Sequence, residues 1–339
     1  MTAKPLLSLE NLSAHYVSQK GTRVVPAVDD VTLRLNAGET LGIVGESGSG
    51  KSTLALTILR LLPKAGRIVS GRMMFDGEDL LEKTDEQMRA VRGKRIAMIL
   101  QDPMASLNPL FTIGDQVGEP VRVHEGASRA GAWKRAVELL KSVRIPSPEK
   151  RVTQYPHEMS GGMRQRIVGA IAISCGPRLL IADEPTTSLD PTIQAQYLSL
   201  LSDLQRRHGL AMIFITHNLG IVARMCDQIA VMYAGRVVEH GPVRDIFNAP
   251  AHPYTKALLN SIPRMSDAHS RLAAIDGQPP DLSAMPPGCS FAPRCTAAVA
   301  RCHVQEPPEF QIAEKRIARC WLVEPGAKTR PELVGSNAA

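Results

Sequence analysis

Four short apolar runs stand out along the first 248 residues: LGIVG at 41–45, RIAMIL at 95–100, LLIA at 179–182 and AMIFIT at 211–216. Runs this short, with no polar residue at alternate positions, are buried on both faces, which predicts strands of a parallel sheet covered by helices. Helical patterning fills the intervals, at 52–62, 130–143 and 161–174. Residues from about 108 to 175 are mostly helical in pattern, and they break the strand rhythm as an inserted helical segment would. No repeat of fixed period is visible. The longest charge-free apolar stretch, 167–177, ends at Arg178 and falls short of the roughly 18 residues that a membrane-crossing helix needs. The first residues carry a Lys but no apolar segment behind it, so no secretory signal is evident and the cytoplasm is the default compartment.

Composition sharpens this picture in one place. An apolar fraction of 44% and a charged fraction of 22% exclude a disordered, collagen-like or coiled-coil chain. The formal charge of +7 is modest for 339 residues and decides nothing about partners. Near residue 249, however, the character changes. Twelve of the 25 prolines and four of the six cysteines lie beyond it. We therefore expect a packed domain over 1–248, with its helical insert at about 108–175, followed by a Pro/Cys-rich extension over 249–325 and a flexible tail over 326–339. The extension reads as irregular structure that needs a staple to hold one shape.

The first chemical motif is Gly45-Glu46-Ser47-Gly48-Ser49-Gly50-Lys51-Ser52, followed by Thr53. It matches G-x-x-x-x-G-K-[S/T] at every fixed position and lies between a predicted strand and a predicted helix, as a phosphate loop must. Its glycines let successive amides point inward around phosphate oxygens. Lys51 adds a charge for the β- and γ-phosphates, Ser52 reaches Mg²⁺, and the helix start at Thr53 faces the same anion. Far along the chain, the apolar run at 179–182 ends in Asp183 and Glu184. Adjacent carboxylates rarely close a buried strand unless a cation waits there. Asp183 is suited to holding Mg²⁺, and Glu184 to polarising the attacking water as general base.

Between these halves lies Ser160-Gly161-Gly162-Met163-Arg164-Gln165-Arg166. With the phosphate loop it resembles the signature of ABC-type ATPases, usually read as S-G-G-x-x-Q, and the resemblance covers residues 7–262. Other short motifs fall in the family's order: Tyr16 upstream, Gln101 at a strand end, Ser188-Leu189-Asp190 after Glu184, and His217 after the fourth strand. The resemblance implies an α/β P-loop NTPase, with a RecA-like core, an antiparallel β subdomain and a helical signature subdomain, plus a small Cys-rich extension. It also implies roles. Tyr16 would stack on adenine, and Gln101 would contact Mg²⁺ or the lytic water. His217 would hold the γ-phosphate. Ser160, Gly161 and Gly162 would reach a nucleotide carried by an opposing subunit, with Asp190 on the dimer seam.

The clustered cysteines, Cys289, Cys295, Cys302 and Cys320, are spaced C-x₅-C-x₆-C-x₁₇-C. Disulfides are disfavoured in a cytosolic chain, and spacing alone leaves an iron–sulfur cluster, zinc and unligated thiols all open. Residues 251–259 and 286–295 resemble the carboxy-terminal extension of oligopeptide/dipeptide importer ATPases, which implies a [4Fe–4S] cluster on these cysteines; His303, next to Cys302 in sequence, is a substitute ligand candidate. Cys175 and Cys226 lie in apolar surroundings and read as inert core thiols.

By this resemblance the chain is the energy-coupling ATPase of a bacterial importer, binding ATP and Mg²⁺ and carrying di- or oligopeptides inward. Nickel, glutathione or another small solute is the alternative cargo. A non-transport ABC ATPase acting on DNA or ribosomes fits less well. Repair types insert a long coiled coil where only the interval from Lys51 to Ser160 is available, and translation-factor types carry two such domains. A small-molecule P-loop kinase leaves Ser160-Gly161-Gly162 and His217 unexplained. The implied partners are two transmembrane permease subunits, a paralogous ATPase subunit or a second copy, and indirectly a periplasmic solute-binding protein, with no nucleic acid. The implied location is the cytoplasmic face of the bacterial inner membrane, held peripherally.

Overall fold

The computed structural model describes residues 4–18, 21–102, 106–187, 189–262 and 275–326. Ser188 and the tail from residue 327 onward therefore lie outside the described residues. The strands are β1 (Leu7–Val17), β2 (Val24–Leu35), β3 (Thr40–Val44), β4 (Gly66–Phe75), β5 (Glu78–Asp79) and β6 (Ile96–Ile99). They continue with β7 (Leu179–Asp183), β8 (Ala211–Ile215), β9 (Gln228–Tyr233), β10 (Arg236–Pro242), β11 (Phe310–Ala313) and β12 (Arg316–Ala318). The helices are α1 (Lys51–Ile58), α2 (Asp85–Val91), α3 (Ile113–Glu125), α4 (Arg129–Ser142), α5 (Pro148–Arg151) and α6 (Gly161–Ile173). After them come α7 (Pro191–His208), α8 (Leu219–Met225), α9 (Val243–Asn248), α10 (Pro253–Asn260) and α11 (Ala300–Val304). All four apolar runs expected to be strands are strands, and no helix among the described residues is long and apolar enough to cross a membrane.

The chain forms two compact units. One comprises residues up to 7, 35–40 and 74–215; the other comprises 8–34, 41–73 and 216 onward. In the first unit, β6, β7 and β8 run parallel, with Leu179 opposite Ala211 and Asp183 opposite Ile215. Every residue of β7 and β8 is buried, which is why neither strand shows alternation in the sequence. Residues 113–173 carry α3 to α6, with α3, α4 and α6 packed on one another. Side chains start these helices as caps should: Thr112, Ser128 and Ser160 each accept a backbone N–H from the first turn of α3, α4 and α6.

In the second unit, β3 pairs parallel with β9, and β9 pairs antiparallel with β10. β1 lies between β2 and β4 in a smaller sheet. Two expectations change here. The helix after the phosphate loop ends at Ile58, not at residue 62. Arg60 adopts a left-handed φ of 52°, its N–H bonds to Thr57 O, and the Leu61 N–H bonds to Leu56 O, a reverse turn that closes a helix without proline. The extension is also less irregular than its composition suggests. β11 and β12 form a hairpin that adds to β10, with Glu239 opposite Ala318 and His240 opposite Ile317.

An aromatic cluster anchors the extension within this unit. The Tyr233 ring centroid lies 4.6 Å from that of Tyr254 and 5.3 Å from that of Phe291, and all three side chains are buried. Phe291→Ala should cost about 3–5 kcal/mol of stability, the usual range for emptying a buried aromatic site. Urea denaturation of the purified chain checks this, with a midpoint unmoved from wild type as the contrary result.

Candidate active site

The phosphate loop joins β3 to α1, and its shape follows from missing side chains. Gly45 and Gly50 have φ of 153° and 100°. A Cβ on Gly45 would stand 2.1 Å from Met232 O, and one on Gly50 2.0 Å from Ala27 O. Neither backbone angle nor space admits another residue. Lys51 is buried, and its Nζ donates to Gly45 O at 2.8 Å and to Glu46 O at 2.9 Å. The ammonium is thus folded back over the loop, where an incoming phosphate oxygen can replace a carbonyl. Ser47, Gly48 and Ser52 are exposed, Ser49 is buried, and Thr53 is half-buried. Tyr16 is half-buried with its hydroxyl 3.5 Å from Thr53 Oγ1. His217, in the same unit, is exposed just ahead of the Asn218 cap of α8.

The other expected residues belong to the first unit. Asp183 is buried at the carboxyl end of β7, the edge at which parallel strands present ligand-binding groups. Glu184 leaves the strand in a left-handed conformation, φ 44°, with its N–H bonded to Ile215 O. Its Oε2 accepts from Thr187 Oγ1 at 2.9 Å and from Gln101 Nε2 at 3.3 Å. The structure therefore brings Gln101 and Glu184 together. Ser160 caps α6, accepting from Met163 N at 3.4 Å, and Asp190 caps α7, accepting from Thr192 N and Ile193 N. Ser160, Gly161, Gly162 and Asp190 line one open cleft. The amino-terminal turn of α6, the positive end of its helix dipole, borders that cleft.

No motif or spacing announces what holds Glu46. Its carboxylate accepts two bonds from Arg294, Nη1 to Oε2 at 2.7 Å and Nη2 to Oε1 at 3.0 Å. Its N–H donates to the Tyr254 hydroxyl at 2.9 Å. The Arg294 side chain is only 3% exposed, and the Glu46 carboxylate, which donates nothing but accepts twice, raises its pKa further.

The four extension cysteines converge on one small apolar cavity, which His252 and Trp321 also line. Nearby backbone N–H groups, of Phe291 and Ala292 at Cys289, of Ala297 at Cys295 and of Leu322 at Cys320, act to lower the pKa of these sulfurs, against burial. Burial pushes Cys289 up to about 11 and Cys320 up to about 12, and raises Cys295 as well, so these groups are neutral thiols at pH 7. Among the described residues no three His, Cys, Asp or Glu side chains stand close enough together to hold a metal ion. His303, expected as a substitute ligand, is exposed and lies outside the cavity lining. His252 stands there instead. Burial lowers its pKa to about 4, and its Nδ1 accepts from Tyr254 N at 3.0 Å, which fixes a neutral ring. Cys175 and Cys226 are both partly buried with raised pKa values, from burial first, in keeping with core thiols.

Comparison with known proteins decides the family. A model described as ABC transporter matches residues 28–187, and one described as oligopeptide/dipeptide transporter, C-terminal region, matches residues 238–302. The oligopeptide transport ATP-binding protein OppD of Bacillus subtilis (strain 168) is 49% identical over 324 residues, covering 95% of this chain and 90% of that protein. The chain belongs to the ABC transporter ATP-binding family. The dipeptide transport ATP-binding protein DppD of the same organism is 47% identical, covering 95% of this chain and 96% of that protein. A dimeric ATP-binding cassette solved in a post-hydrolysis state with ADP and Pi is 28% identical with a TM-score of 0.62, over 70% of this chain and 99% of that one. This ABC chain is accordingly a P-loop ATPase, and the extension match takes in Cys289, Cys295 and Cys302 but stops before Cys320.

Two loop glycines separate geometry from mere flexibility. A Cβ on Gly48, at φ 79°, would meet nothing within 4 Å, whereas one on Gly50 would collide with backbone. Gly48→Ala should therefore cost only the left-handed strain of about 1–2 kcal/mol and keep ATP binding, whereas Gly50→Ala should abolish it. Titration with a fluorescent ATP analogue distinguishes the two, and equal affinities would contradict this reading of the loop.

Proposed function

We infer that this chain is the ATP-hydrolysing subunit of a bacterial importer for di- or oligopeptides. The observation that carries the reading is the phosphate loop with Lys51 already seated on Gly45 O and Glu46 O, in a chain whose extension matches the oligopeptide/dipeptide transporter type. Peptide stands in the names of the relatives OppD and DppD, and this supports peptide over nickel, glutathione or another small solute.

The residues divide the work of hydrolysis. Loop amides and Lys51 bind the triphosphate, and Tyr16 supports the base. Ser52, Gln101 and Asp183 would hold Mg²⁺, which supplies charge neutralisation on the phosphate oxygens. Glu184 accepts the proton of the attacking water. Its carboxylate is oriented for that task by Thr187 and Gln101, which both donate to Oε2. His217 orients the γ-phosphate. The cleft at Ser160, Gly161, Gly162 and Asp190 receives the triphosphate of an opposing ATPase subunit, so the working unit is a dimer, either of two copies or with a paralogous subunit. Two permease subunits supply the membrane path, with a periplasmic binding protein delivering cargo, and the chain works at the cytoplasmic face of the inner membrane. Glu184→Gln should retain ATP binding and lose turnover by about 100-fold or more, while Lys51→Ala should lose affinity itself. Peptide-stimulated ATPase assays on the reconstituted transporter, paired with nucleotide titration, check both. Full turnover by Glu184→Gln would remove its role as base.

Although among the described residues no three ligands stand together for a single metal ion, the donor types support a [4Fe–4S] cluster: four sulfurs line one apolar space, with backbone N–H donors beside three of them. Such donors stabilise thiolates and tune a cluster's potential. Cys289, Cys295, Cys302 and Cys320 would hold it, and its contribution would be to staple the extension. Anaerobically purified protein should contain iron and sulfide and absorb broadly in the blue part of the visible spectrum. Zinc without iron by elemental analysis would replace this assignment.

A further inference from the structure

A carboxylate inside a phosphate loop poses a problem that the rest of the site does not answer. Glu46 follows Gly45 directly, its backbone carbonyl holds Lys51, and its side chain is 27% exposed. An anion at that position opposes an incoming triphosphate, because charges nearer than a Debye length of about 8 Å are poorly screened. The structure places a buried cation on it. Arg294 meets both carboxylate oxygens at 2.7 and 3.0 Å, in the two-pronged geometry that only a guanidinium provides. Arg294 is itself fixed from behind. Nε donates to Asp276 O at 2.9 Å, Nη2 to Ile275 O at 3.2 Å and Nη1 to the Tyr233 hydroxyl at 3.3 Å. Its guanidinium also lies 5.9 Å from the Tyr233 ring centroid and 6.0 Å from that of Phe291. These contacts leave the fork nowhere to go except toward Glu46. The neighbouring Tyr254 hydroxyl takes the Glu46 N–H, so the residue is held at backbone and side chain together.

We propose that Arg294 is a positioning residue of the nucleotide site, the counter-ion that neutralises Glu46 and turns its carboxylate away so that the phosphate loop can accept ATP. The proposal rests on the reading that ATP binds at this loop, and it makes the extension a working part of that site. Arg294 touches neither substrate nor reacting atoms; it acts through Glu46. Its neighbour in sequence is Cys295, so the segment that carries the cysteines also carries the counter-ion.

The test uses the full chain, titrated with a fluorescent ATP analogue and Mg²⁺, and the reconstituted transporter for turnover. Arg294→Ala should weaken ATP binding about tenfold, the loss of one charge-assisted contact, and raise KM for ATP while kcat at saturating ATP stays within about twofold. Adding Glu46→Gln to Arg294→Ala should recover most of the lost affinity, since the uncompensated charge is then gone. Arg294→Lys should fall between wild type and Arg294→Ala. A purely structural brace would give no recovery in the double variant and would lower kcat with affinity. Wild-type affinity in Arg294→Ala, or a double variant as weak as the single one, overturns the proposal. If Arg294→Ala does not fold, Glu46→Gln alone carries the test: affinity for ATP at or above wild type agrees with a charge that needed neutralising, and a tenfold loss contradicts it. Lys51→Ala stands apart as control, because unaltered binding there would instead remove the nucleotide site on which the proposal rests.

Discussion

The nucleotide site depends on an ammonium ion kept almost out of solvent before any anion arrives. Lys51 is 7% exposed and is carried by two carbonyls of its own loop. A buried charge without acceptors would cost several kcal/mol, so the carbonyls are a condition of folding as much as of binding. They also set what binding is worth. A phosphate oxygen gains only the difference between itself and a carbonyl, but it meets a cation that needs no reorganisation to receive it. That exchange requires the carbonyls of Gly45 and Glu46 to point inward, which in turn requires a φ of 153° at Gly45 and 100° at Gly50 with no Cβ at either.

The two acids that close β7 show how adjacent residues acquire different tasks from backbone alone. Asp183 is the last strand residue and is buried. Glu184 has turned into the left-handed region, a conformation that costs a side chain other than glycine about 1–2 kcal/mol. The cost is met by the bond from its N–H to Ile215 O and by Thr187 and Gln101 on its carboxylate. A left-handed residue held by these contacts at backbone and side chain is fixed in place. Strain retained at a chemically active residue is what a positioned group looks like.

Local chemistry was legible in the sequence, and long-range chemistry was not. The loop at 45–52, the strand ending in Asp183-Glu184 and the Ser160 cap each depend on residues within one turn or strand, so spacing alone reveals them. The pairing of Gln101 with Glu184 needs two adjacent parallel strands, which apolar runs predict as a class but not in register. Arg294 and Glu46 lie 248 positions apart, and nothing in either segment's periodicity joins them. The end of α1 was missed because a left-handed arginine carries no composition signal of the kind that glycine or proline gives. The hairpin of β11 and β12 was missed because its strands are four and three residues long, too short for alternation to register. His303 stands out in the sequence by its adjacency to Cys302, whereas the fold leaves it exposed and brings His252, from the start of α10, to the cavity.

One buried acid explains why the extension behaves as part of its unit and not as an appended tail. Glu239 lies in β10 with no exposed surface, and its oxygens accept from Ala251 N at 2.8 Å, His252 N at 2.9 Å and Arg316 Nη2 at 2.8 Å. The first two donors open the extension and the third belongs to β12 near its far end, so a single carboxylate ties both ends to one strand. A buried carboxylate left with any donor missing is heavily penalised, whereas the complete set is tolerated. The two ends therefore form together or not at all. Residues 251–254 then run straight into α10, where His252 caps the helix and Tyr254 reaches Glu46. A chain of contacts thus passes from a strand interior, through the opening of the extension, to the phosphate loop within the same unit. Proline-rich sequence with few regular elements is anchored at both ends by that chain of contacts, without recourse to the cysteines that lie between them.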